Sequence, residues 1–172
     1  MVEREVTLTI LMAVILSICA ASILGTSIYA QEQKFTASLS GNQEVPPNSA
    51  SAKGWAWFKP MGDTVSYKVN ATGISGVSMA HIHNAKAGEN GDPVAMLQIK
   101  EANGPRVAEG NITSSDLMGS LAGKSISDLV TKMQSGETYV NIHTGANPNG
   151  EIRGQLEMAN STMTSNSTMT AK

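Results

Sequence analysis

The sequence predicts an all-β domain, a sandwich or barrel with one short helical insertion. Apolar and polar residues alternate with period two from Lys34 onward. Turn residues interrupt that alternation roughly every eight to twelve residues, the spacing of a sandwich or barrel. Only one segment, "SISDLVTKMQSG", switches to helical periodicity.

The elements follow in order. "KFTASLS" puts Phe35, Ala37 and Leu39 on one face of a first strand, and Gly41 with the Pro46-Pro47 pair ends it. "GWAWFK" and "TVSYKVN" flank "PMGD", a hairpin turn that pairs them. Trp55 and Trp57 alternate with Ala56 and Phe58, which leaves two readings: a carbohydrate-stacking platform, or the core or barrel cap where strand aromatics more often sit. "GVSMAHIH" is the next strand, "NAKAGENGDP" a loop, and "VAMLQI" and "VAEGNIT" two further strands. After a turn in "SSDLMGSL", Ser125 caps a short helix with Asp128 at its third position. Leu129, Val130 and Met133 form its apolar stripe, and Gly136 stops it. "TYVNIHT", the turn "GANPNG" and "EIRGQLE" close the chain as a hairpin.

The chain has room for one domain with its own core once the two ends are set aside. Residues 1–30 read as a signal peptide or an N-terminal membrane anchor, because no charge falls between Val6 and Leu24 and a span needs about 20 apolar residues. Residues 158–172, rich in Ser, Thr and Asn, are too polar to offset their ordering entropy and read as a disordered tail. Cys19 is the sole cysteine and lies in the leader, so the exported part has neither disulfides nor thiolate ligands. Past residue 30 there are 11 basic and 12 acidic residues with no basic run, which gives nucleic acid no surface. No serine sits in a nucleophile elbow, and "GENGDP" lacks the lysine and following helix of a phosphate loop. Asn70, Asn111, Asn160 and Asn166 each begin a glycosylation sequon.

The chemistry concentrates on the three histidines of the chain. Alternation in "MAHIH" turns Ala80 and Ile82 inward and Met79, His81 and His83 outward. In "TYVNIHT" it turns Val140 and Ile142 inward and Tyr139, Asn141 and His143 outward. Two imidazoles at i and i+2 with a third from a neighbouring strand suit copper or zinc. A competing arrangement is a charge-assisted network in which Glu151 and Arg153, on the same face as His143, satisfy the histidines without metal, with Glu44 as a further partner of Arg153.

Three motifs in order, "LSGNQEVPP", "GVSMAHIHNAKAGENGDPV" and "YVNIHTGANPNGEIRGQL", resemble the CHRD domain, named from the chordin family and found also in exported microbial proteins. The resemblance covers residues 34–157 and carries over Glu44, His81, His83, His143, Glu151 and Arg153. Asp92 and Asn84 depart from the family pattern without disturbing the histidines. It implies an immunoglobulin-like or Cu,Zn-superoxide-dismutase-like Greek-key sandwich or barrel at the cell surface or outside the cell. For chordin-like members it also implies binding of extracellular protein ligands. "HIH" is similar to the copper-ligand strand of the dismutases as well, although the bridging histidine, the further zinc ligands and the disulfide cysteines of that family are missing.

The expectation is therefore an exported, non-enzymatic CHRD module with a binding or structural role, taking an extracellular protein ligand as partner and touching a membrane only through an uncleaved N-terminal segment. The alternative is a copper- or zinc-binding protein using His81, His83 and His143. A dismutase-like enzyme is a distant third.

Overall fold

The computed structural model describes residues 33–159, so the expected leader and residues 160–172 of the expected tail lie outside the described residues. Met158, expected in the disordered tail, is instead a strand residue paired with Phe35, because the sheet edge beside Phe35 takes its backbone. Strands β1 (Phe35–Ser40), β2 (Lys53–Met61), β3 (Thr64–Thr72), β4 (Val77–Asn84), β5 (Pro93–Met96) and β6 (Arg106–Ile112) precede the helix. Helix α1 (Ile126–Gln134) is followed by β7 (Thr138–Thr144), β8 (Ile152–Gln155) and β9 (Glu157–Met158). All the strands join one antiparallel sheet in the order β5-β4-β7-β8-β1-β2-β3-β6, with β9 added to β1. The ends of that order nearly meet, because the chain leaving β5 bridges Ile99 to Ala108 of β6 and Lys100 N donates to Val107 O at 2.8 Å. The result is a nearly closed barrel, the arrangement that removes free sheet edges.

Alternation builds the interior as expected. Phe35, Ala37, Leu39, Ala56, Phe58, Val65, Tyr67, Val69, Ala80, Ile82, Val140, Ile142 and Ile152 all point into the core. The β2–β3 hairpin turns through Gly62 and Asp63. Only Gly62 is left-handed, with φ 60°, as a two-residue hairpin that needs glycine at its first central position requires. Its cross-strand pair Phe58 and Tyr67 stack at 5.8 Å inside the barrel, and the Tyr67 hydroxyl accepts from Gln98 N at 2.8 Å. The tryptophans face the other way: Trp55 is 47% exposed and Trp57 half-buried, so the core or barrel-cap reading of them is corrected. Ala56 and Phe58 claim the inner face, and period two leaves the tryptophans no other side.

The helix forms where its capping box stands. Asp128 N donates to Ser125 Oγ, and the Asp128 carboxylate accepts from Ser125 N at 2.9 Å. Ile126, Leu129 and Met133 bury its apolar face, with Val130 only partly covered, which shifts the expected stripe toward the helix start. Gly136, at φ 68°, ends it.

Strand β8 is squeezed against β1 at Gly154, where an added Cβ would collide with the Ser38 carbonyl. Gly154→Ala is expected to lower stability by about 1–3 kcal/mol in urea unfolding, since neither backbone can give way cheaply.

Candidate metal centre

In a half-covered antiparallel sheet the outer face is wet, yet every residue of β7 is buried. The cause is a second layer. The loop between β4 and β5, residues 85–92, and the turn 145–150 lie over the outer faces of β4, β7 and β8, and the outer-face side chains fasten them down. Arg153 is the main fastening. Only 2% exposed, it donates to Glu89 O at 2.7 Å, Lys86 O at 3.2 Å and Asn90 Oδ1 at 3.3 Å, while its guanidinium carbon sits 3.4 Å from the centre of the Tyr139 ring. Gln155 Nε2 donates to Ala85 O at 3.0 Å and to Gly136 O at 2.8 Å. The Tyr139 hydroxyl meets both the N–H and the carbonyl of Gly91, and Asn90 Nδ2 reaches Val45 O at 2.7 Å.

Beneath this layer the three histidines come together. Register puts His81 opposite Asn141, His83 opposite Tyr139 and His143 opposite Met79, so all three rings rise from one patch of β4 and β7. Ring centroids are 5.3 Å apart for His81 and His143, 5.6 Å for His81 and His83, and 5.7 Å for His83 and His143. One ring nitrogen from each lies within 4.8 Å of the others, and the residues are only 6–8% exposed. His83 Nδ1 lies 2.8 Å from Gly91 O and His143 Nδ1 3.0 Å from Pro148 O. A carbonyl can only accept, so both Nδ1 atoms carry the hydrogen and both Nε2 atoms present a lone pair, the orientation that outer-shell carbonyls impose on metal-binding imidazoles. Those two Nε2 atoms, together with His81 Nδ1, are buried without a hydrogen-bond partner.

Burial is also the leading cause of the site's electrostatics. It pushes His81 down to about 4, helped by the neighbouring His143 and His83. It lowers His83 too, with Gly91 O opposing and His143 and Arg153 adding to the shift, and it lowers His143 against the pull of Pro148 O. Tyr139 separates Arg153 from His83, whose ring stacks on it at 4.9 Å and 12°. Neutral imidazoles with free lone pairs are the state a metal ion requires.

The expected carboxylate–guanidinium network does not form. Glu151 turns into its own hairpin, accepting from Thr144 Oγ1 at 2.9 Å and from Asn147 Nδ2, because these donors stand closer than any imidazole. Arg153 is spent on loop carbonyls, and among the described residues no ion pair joins it to Glu151 or Glu44. Glu44 does come near: its carboxylate accepts from Asn141 Nδ2 at 3.3 Å beside Gly150, whose missing Cβ is what lets the two side chains meet. Burial raises Glu44 to about 7, more than the Asn141 hydrogen bond and the Arg153 charge lower it, and the Glu151 charge adds to the rise. Sequence reasoning placed Tyr139 and Asn141 on the outer face without a role, and it missed Asn90 and Gln155 as loop fasteners. An open groove of about 570 Å³ around Trp55, Lys68 and Arg106 lies outside this site, on β2, β3 and the start of β6.

The family model for the CHRD domain matches residues 35–156. Chordin of Xenopus laevis is 27% identical over 147 residues, an alignment that covers 81% of this chain and 14% of chordin. The chain thus spans about one seventh of the length of that relative. No solved structure gives a significant match.

Two outcomes test the layer. Arg153→Met keeps an aliphatic stem over Tyr139 but strands Lys86 O and Glu89 O. It is expected to cost about 2–4 kcal/mol in urea unfolding, with amide exchange accelerating in residues 85–92 before the β2–β3 hairpin. Glu44→Gln removes a group whose folded value, about 7, lies above its unfolded 4.5. The wild-type carboxyl is therefore unpenalised below pH 4.5 and loses stability as pH rises through 7. The variant is expected to gain about 1–3 kcal/mol over wild type at pH 8 and almost nothing at pH 4, read from unfolding at the two pH values.

With a family model covering most of the chain, this protein belongs to the CHRD domain family.

Proposed function

We propose that this CHRD domain is an exported, non-enzymatic binding module that holds one zinc or copper ion on His81, His83 and His143. The observation that carries it is the convergence of one nitrogen from each of three nine-tenths-buried rings to within 4.8 Å, with three ring nitrogens left unpartnered. A buried polar atom without a partner costs about 1–3 kcal/mol, and three in one patch are a ligand set in want of an ion. Closing the donors onto a common metal at roughly 2.0–2.1 Å requires the nitrogens to move inward from their present separation of up to 4.8 Å, and no hydrogen bond has to break at the His81 ring for it to do so.

Export rests on the charge-free run between Val6 and Leu24 and on the resemblance to extracellular family members. The chain has no fourth histidine to bridge a second metal, which argues against a two-metal dismutase centre. Glu44, Glu151 and Arg153 support the loops and turn around the ion in this reading, and an extracellular protein ligand would dock outside them.

The purified chain is expected to bind one equivalent of zinc or copper at micromolar metal. His83→Ala and His143→Ala should each abolish stoichiometric binding, while circular dichroism verifies that the fold persists. Absence of binding in the wild type, or retention in both variants, contradicts the proposal.

A further inference from the structure

The outer face of β4 and β5 carries two side chains that neither the core nor the covering loops explain. Met96 is the cross-strand partner of His81, and Met79 is both the cross-strand partner of His143 and two residues before His81 on the same strand face. Their neighbours Ala80 and Ala95 are fully buried, which fixes both methionines outward. Met79 is 43% and Met96 53% exposed. An exposed methionine needs no explanation singly, but here two flank one ring.

That ring is the exceptional one. The rings of His83 and His143 are each held by a backbone carbonyl, whereas the His81 ring makes no hydrogen bond among the described residues, and its buried Nδ1 is unpartnered. The imidazole of the three that no hydrogen bond holds therefore has one methionine as its cross-strand neighbour on β5 and another two residues back on its own strand face. Thioether sulfur is a soft donor that favours copper(I) and adds little for zinc.

From this register we infer that the site selects copper(I), with Met79 and Met96 supplying thioether ligands beside His81. The inference rests on the three-histidine reading above and names its ion. No redox step is involved, since copper is taken up and held in the cuprous state.

The test compares the wild-type chain with the double variant Met79→Leu/Met96→Leu. Copper(I) affinity is read by competition with a chromogenic cuprous chelator and zinc affinity by a fluorescent zinc chelator. Leucine at exposed positions preserves fold, which thermal unfolding checks. The expected result is a fall in copper(I) affinity of about tenfold or more with zinc affinity within about twofold of wild type. X-ray absorption of the copper(I) form should lose its sulfur shell in the variant. Unchanged copper(I) affinity, or an equal loss for both metals, overturns the thioether assignment while leaving the histidine site standing. A wild-type chain that binds neither metal overturns both.

Discussion

The whole outer layer depends on how one guanidinium is satisfied. Arg153 stands on a sheet face that would ordinarily be wet, and it is almost fully buried there. Burying a cation is costly, and here the cost is offset by two loop carbonyls, one amide oxygen and the face of Tyr139. The same contacts that settle the arginine hold residues 85–92 over β4, β7 and β8. Gln155, Tyr139 and His83 extend the fastening along the loop, and Asn90 ties it to the segment after β1.

What the layer does to the histidines follows from its dryness. On an open sheet the three rings would take hydrogen bonds from water and titrate in the ordinary range. Under the loops they stay neutral, two have their tautomer set by Gly91 O and Pro148 O, and the nitrogens left over face no protein partner. The barrel supplies rigidity and the loops supply desolvation, a division in which strands place donor atoms and connecting segments tune them. Glu44 shows the same force acting on an acid: burial lifts its carboxyl to about 7, above the ordinary carboxylate range.

Much of this was legible in the sequence. Period two sorted the strand residues correctly, from Phe35 and Leu39 in the core to His81, His83 and His143 on the outer face, and the capping box located the helix. Alternation, however, reports the side of a sheet and not what lies on top of it. Trp55 and the histidines read alike as outward residues, yet Trp55 is half-exposed and the histidines are buried, because loop 85–92 crosses one part of the barrel and not the other. The polar pairing failed for a related reason. Glu151, Arg153 and His143 do share a face, but side chains choose donors by distance, and Glu151 finds Thr144 and Asn147 inside its own turn. Backbone carbonyls of a loop, the true partners of Arg153, carry no sequence signature at all.

The central claim is that three imidazoles under this layer form a metal site. X-ray absorption on the metal-loaded chain tests it most directly, because outer-shell scattering from imidazole rings distinguishes histidine ligands from solvent and carboxylate. The account expects three imidazole nitrogens at roughly 2.0–2.1 Å from the ion. A bound ion whose spectrum shows oxygen neighbours without imidazole scattering would contradict it.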